Sequence, residues 1–125
     1  MIKLFEQYND YNIVKSWLDE MEIKNYTIND DLTVYVDGNV ELSLQNLTEI
    51  PVQFSVVSGH FFCDKNRLTT LKGCPTEVGI GFYCYDNKLT SLEYGPVKVD
   101  NDYFCYNNNI TTLKYFPKEI GGFLN

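Results

Sequence analysis

The stretch FYCYDNKLTSL, residues 82–92, sets a cysteine among aromatic residues, just ahead of an asparagine and two leucines. Phe82 and Cys84 alternate with Tyr83 and Tyr85, the period-two pattern of a short strand with one apolar face. Cys84 is a candidate metal ligand, nucleophile, disulfide half or core residue, and its spacing to the other cysteines bears on the choice. Cys63, Cys84 and Cys105 lie 21 and 21 residues apart. Cut at that period, the chain reads VSGHFFCDKNRLTTLKGCPTE (57–77), VGIGFYCYDNKLTSLEYGPVK (78–98) and VDNDYFCYNNNITTLKYFPKE (99–119), with no gap and eight identical positions of 21 in each adjacent pair. One more unit fits upstream, VDGNVELSLQNLTEIPVQFSV (36–56), with Leu42 where the cysteines fall, and IGGFLN (120–125) opens a truncated one.

The shared template is V-x3-F/Y-x-C-x2-N-x-L-T-x-L-x3-P. In the central unit Asn87, Leu89 and Leu92 close the turn after the strand, and Pro96 ends the return segment before Val99 starts the next coil. A coil of this length cannot bury its own apolar face; stacking coils buries a shared core and lines identical positions into ladders. The predicted fold is a repeat solenoid of 21-residue coils with a parallel sheet on its concave face. It is one domain, 1–125: an N-terminal capping helix and short strands (1–35), four repeats (36–119) and the truncated last repeat (120–125).

The template resembles the leucine-rich repeat, whose core reads L-x2-L-x-L-x2-N-x-L; residues 82–89 supply F-x-C-x2-N-x-L of it, and the proline-ended coil looks most like the short bacterial type. One departure is clear. Val78 to Phe82 is four residues where the family has three, so each coil begins with one residue more. The fuller pattern resembles more closely a group of leucine-rich-repeat-like proteins encoded by large tailed bacteriophages, over nearly the whole chain, including IVKSWLDEMEIKNYTIND (13–30). That resemblance implies a fold and a phage origin. By extension it implies a host protein as target and the host bacterial cytosol as location.

Ahead of the repeats the period changes. Ile13, Val14, Trp17, Leu18 and Met21 share one helical face with Lys15, Asp19 and Glu20 opposite, and Asn9 or Asp10 is the predicted N-cap. Asn25 marks the exit. YTI (26–28) and TVYV (33–36) alternate like strands around a turn at 29–31. The helix is read as the solenoid's cap, with a partner-binding role for its acidic outer face as the alternative.

Net charge is −7, and residues 1–56 hold all of the excess: ten acids against three lysines, while residues 57–125 carry seven of each sign. A nucleic-acid backbone binder needs a basic stripe, which is missing. A basic protein partner, or mimicry of nucleic acid, stays compatible. No apolar run reaches the roughly 18 residues of a membrane span, and the N-terminus turns polar too early for a secretory signal, so a cytoplasmic protein is expected.

For the cysteines, stacked positions run along one line about 4.8 Å apart, whereas zinc needs ligands converging tetrahedrally. Neighbouring rungs are near enough for a disulfide, but in-register stacking aims their Cβ vectors the same way. Free core thiols are the predicted state of Cys63, Cys84 and Cys105. His60, the only histidine, is three residues from Cys63, so strand alternation parts them. No phosphate loop, zincin or hydrolase motif appears. The chain is read as non-enzymatic, with no catalytic residue, metal or cofactor assigned. Asn66, Asn87 and Asn108 form a second structural ladder that bonds neighbouring backbone.

If Phe61, Cys63, Phe82, Cys84, Tyr103 and Cys105 face in, then Phe62, Tyr83 and Phe104 face out, as do Asp64, Tyr85 and Tyr106. Phe62, Tyr83, Tyr85, Phe104 and Tyr106 are the predicted partner-binding residues: exposed aromatic patches mark interfaces, and Tyr is enriched at hot spots. Cross-strand stacking alone also accounts for them. At the other end the sheet edge near Tyr103, with Phe123 and Leu124, is a candidate self-association surface for a homodimer. The expected function is a protein–protein interaction module, a phage accessory protein inhibiting a host defence or replication factor. The rivals are a self-assembling virion-associated module and an acidic nucleic-acid mimic.

Overall fold

The structure, a computed structural model, describes residues 2–125, with side chains from Asn9 onward. It opens with helix α1 (Ile2–Glu20) and continues through ten short strands: β1 (Tyr26–Ile28), β2 (Thr33–Val36), β3 (Val40–Glu41), β4 (Gln53–Val57), β5 (Phe61–Phe62), β6 (Glu77–Val78), β7 (Phe82–Tyr83), β8 (Lys98–Val99), β9 (Tyr103–Phe104) and β10 (Glu119–Ile120). The even-numbered strands stack in parallel as β2-β4-β6-β8-β10, extended by β1 antiparallel to β2; β3-β5-β7-β9 make a second, all-parallel sheet. Each coil gives one strand to each sheet, so the chain is a β-solenoid.

The 21-residue register is physical. Val36 pairs with Val57, Val57 with Val78 and Val78 with Val99, while Phe61 pairs with Phe82 and Phe82 with Tyr103. A bulge in β4 sets this phase, because two steps along β2 (Val34 to Val36) match three along β4 (Phe54 to Val57). The parallel sheet expected from the F-x-C alternation is the second of the two. The first follows from the longer start of each coil: after Val78 the chain bends at Gly79–Gly81 and enters the other sheet at Phe82. A Cβ on Gly79 would sit 2.1 Å from the Ser58 carbonyl oxygen, so the corners stack too closely there for a side chain.

Inside the coils one apolar cluster joins Val57, Val78 and Val99, the rings of Phe61, Phe82 and Tyr103, and Leu68, Leu71, Leu89 and Leu92 from the turns. An aromatic spine runs through it: Trp17 of α1 meets Phe54 edge-on at 6.5 Å, Phe54 meets Phe61 at 5.2 Å, Phe61 stacks on Phe82 at 5.7 Å and Phe82 meets Tyr103 at 4.9 Å. The helix thus covers the first coil. It starts at Ile2, so Asn9 and Asp10 lie within it, exposed, instead of capping it; polar residues pointing to solvent tolerate a helix interior at small cost. Ile13 is 61% exposed. At 100° per residue it sits about 90° from the centre of the stripe formed by Val14, Trp17, Leu18 and Met21.

α1 ends in a Schellman motif: Ile23 N–H donates to Leu18 C=O and Glu22 N–H to Asp19 C=O, each at 3.0 Å, with Glu22 left-handed at φ 58° and Leu18 and Ile23 buried together. The β1–β2 hairpin turns at Asn29–Leu32, where the Asp31 carboxylate accepts Thr33 N–H (3.1 Å) and Thr33 Oγ1–H (2.6 Å). No helix among the described residues is long and apolar enough to cross a membrane.

Candidate functional site

The ladders hold the surface in place. Asn87 Nδ2 donates to Cys63 and Cys84 carbonyls at 3.0 Å each, and its Oδ1 accepts Leu68 N–H at 3.0 Å. Asn108 repeats this one coil on, with Cys84, Cys105 and Leu89. Asn66 does so one coil back, bonding the Leu42 and Cys63 carbonyls and accepting from Gln45 and Leu47. Cys63, Cys84 and Cys105 are free thiols in the core, and so is Cys74, which lies against Cys63. Burial pushes the Cys74 and Cys84 thiols well above their ordinary range. They are neutral packing groups, not thiolate nucleophiles.

On the outer face of the second sheet the residues between these rungs form two rows. Glu41, Phe62, Tyr83 and Phe104 occupy one register position on β3, β5, β7 and β9. Phe62 stacks on Tyr83 at 4.6 Å with ring planes 9° apart, and Tyr83 meets Phe104 edge-on at 5.5 Å. In the second row Tyr85 stacks on Tyr106 at 4.6 Å and 8°, and Phe104 to Tyr106, at 6.2 Å, joins the rows. Phe62, Tyr83, Phe104 and Tyr85 are half-buried and Tyr106 is exposed, so all five predicted binding residues come together.

Two members of this face were not singled out as site residues in the sequence. His60, on the corner before β5, stacks on Phe62 at 5.5 Å and places Nδ1 3.1 Å from the Tyr83 hydroxyl. A corner residue belongs to no period-two pattern, so alternation does not reveal where it goes. Asp64 was expected in the outward row but is only 3% exposed. It accepts Ser43 Oγ–H at 2.7 Å, and its charge lies close to the Tyr85 phenol. Burial, then the Asp64 charge, pushes the Tyr85 phenol up to about 12; burial and Asp102 raise Tyr83 as well. Both phenols stay protonated donors at neutral pH.

The residues proposed for self-association divide. Tyr103 is fully buried, its ring turned into the core against Phe82 and its backbone paired with residues 123–125. Tyr103 N–H donates to Phe123 C=O (2.8 Å), Asn125 N–H to Tyr103 C=O (2.9 Å) and Phe123 N–H to the Asp102 carboxylate (2.8 Å). Phe123 is 74% exposed and Leu124 39%. No family model, curated protein or solved structure matches the chain.

Proposed function

We propose that the chain is a non-enzymatic protein-interaction module that docks its partner on the two aromatic rows of the second sheet. One observation carries the reading. The rings of His60, Phe62, Tyr83, Phe104, Tyr85 and Tyr106 form one connected set of ring contacts, separate from the spine Trp17–Phe54–Phe61–Phe82–Tyr103. The spine fills the core; the outer set is half-buried to exposed and has neutral hydroxyls beside acids, with Glu41 next to Phe62 and Asp102 near Tyr83. Such a face suits a segment carrying apolar and basic side chains, with arginine over a tyrosine ring as the natural anchor. The resemblance to phage-encoded proteins says where to seek the partner: among host bacterial proteins, a defence or replication factor that the contact inhibits.

The test is affinity capture from the host, followed by affinity measurement with the Phe62→Ala/Tyr83→Ala variant. Hot-spot rings contribute about 2 kcal/mol or more each, so binding should weaken at least about a hundredfold with an unchanged far-ultraviolet spectrum. Undiminished affinity sinks the proposal.

A second reading, homodimer formation through the C-terminal edge, is favoured by the exposure of Leu113 (76%) and Phe123. Sedimentation velocity would show a dimer that dissociates on deletion of 120–125; a monomer at high concentration removes this reading.

A further inference from the structure

The first sheet carries a cavity of about 600 Å³ that none of the aromatic-row residues lines. It lies across four coils, bounded by the first residues of β2 and β4 and the segments leading into β6, β8 and β10. Its size is that of pockets for small organic ligands, too small for a folded element of another protein. Its floor is apolar, from Phe54, Leu92 and Phe116, and its rim carries Tyr94 and Tyr115.

Three features separate it from an incidental gap between coils. The first is charge. In a chain of net −7, no acid lines this cavity, while Lys114 and Lys118 do. Among the described residues neither ammonium has a carboxylate within ion-pair distance; Lys114 Nζ lies 5.3 Å from the Tyr115 ring centre. The second is backbone. Tyr94 stands at φ 70°, where the preceding coil uses Gly73 at φ 99°. A bulky aromatic held left-handed is a disfavoured backbone state, and here that conformation leaves the ring 56% exposed at the rim. The third is the neighbouring core. Gly95 replaces Cys74 of the coil before, and the Tyr103 hydroxyl, fully buried and without a hydrogen-bond partner, fills the vacated space: a Cβ on Gly95 would lie 2.7 Å from it. The cavity wall is thinned to backbone where the molecule keeps an unused buried donor.

We infer that this cavity binds a small organic anion, an aromatic or aliphatic body on the Phe54–Leu92–Phe116 floor with its carboxylate between Lys114 and Lys118. Apolar burial supplies the affinity, and the two ammonium groups select the anion over its neutral isostere. The site shares no residue with the aromatic rows, so its failure leaves the proposed protein-docking function standing, and the reverse.

The test is an amide chemical-shift titration of the full chain with 4-phenylbutyrate, 4-phenylbutanol and inorganic phosphate. The acid should saturate and shift the amides of 94–97 and 114–118. The alcohol should bind at least about tenfold more weakly, the loss of a charge-assisted contact, and phosphate, a head without a body, should not saturate below about 10 mM. Lys114→Ala/Lys118→Ala should bring the acid down to the alcohol's affinity. Val97→Glu, at a rim position 49% exposed, should abolish acid binding with the fold intact. Equal affinity for acid and alcohol, no saturable shift up to about 10 mM, or shifts confined to the aromatic rows would each overturn the inference.

Discussion

Asn87 joins two coils with one amide: both of its hydrogens and its oxygen go to backbone groups, and all lie out of water. Truncating it leaves Leu68 N–H and the Cys63 carbonyl without this partner. Asn87→Ala should therefore cost about 2–4 kcal/mol, read as a fall in the urea midpoint with unchanged slope. Tyr103 is the opposite case. It stands in register with Phe61 and Phe82, yet carries a hydroxyl that finds no acceptor. Tyr103→Phe removes that hydroxyl and should raise stability by about 1 kcal/mol, roughly 3–5 °C in Tm by calorimetry. A lower Tm would mean that the hydroxyl is partnered in solution.

Among the elements, the turn into each asparagine rung has its own signature. Leu44, Lys65, Asp86 and Asn107 precede equivalent positions in successive coils, and all four are left-handed, with φ between 53° and 59°. Only the last two are residue types that accept this region cheaply. Lys65→Asn should stabilise by about 0.5–1 kcal/mol, whereas Lys88→Asn, outside the left-handed positions, should be nearly neutral; equal effects by chemical denaturation would refute the assignment. The left-handed residue of this turn was not legible from the template, because its requirement falls on backbone and the four side chains share no chemistry. The strands before it, β5, β7 and β9, were legible, since alternation and a 21-residue identity point to the same register. The start of α1 was not: Asn9 and Asp10 look like caps, and nothing in residues 2–8 breaks a helix. Nor was the first sheet, whose only trace was one extra residue between Val78 and Phe82.

For the whole molecule, the inward and outward rows were readable because a solenoid converts sequence period directly into space, so five aromatics scattered over 45 residues meet on one face. What period could not supply was anything set by side-chain reach: Asp64 drawn under Tyr85, His60 laid on Phe62, Tyr103 filling the space beside Gly95. The same core makes a global prediction. Cys74, Cys84 and Tyr103 are buried acids whose neutral forms the fold favours, and burial raises their pKa above the ordinary 9.0 for a thiol and 10.0 for a phenol. For such groups the unfolded chain loses its proton first. Their contribution is complete below the unfolded pKa and declines as pH rises from it toward the folded value. Stability should thus be unaffected by these groups at pH 7–8 and fall above about pH 9, by about 1.4 kcal/mol per pH unit for each group ionised only in the unfolded state. Urea midpoints at pH 7.5, 9 and 10.5 measure this. Cys84→Ala, which lowers stability at every pH by leaving a small cavity, should flatten the alkaline slope by about one group's share. An unchanged slope would show that the thiol ionises equally in both states and is not sealed in the core.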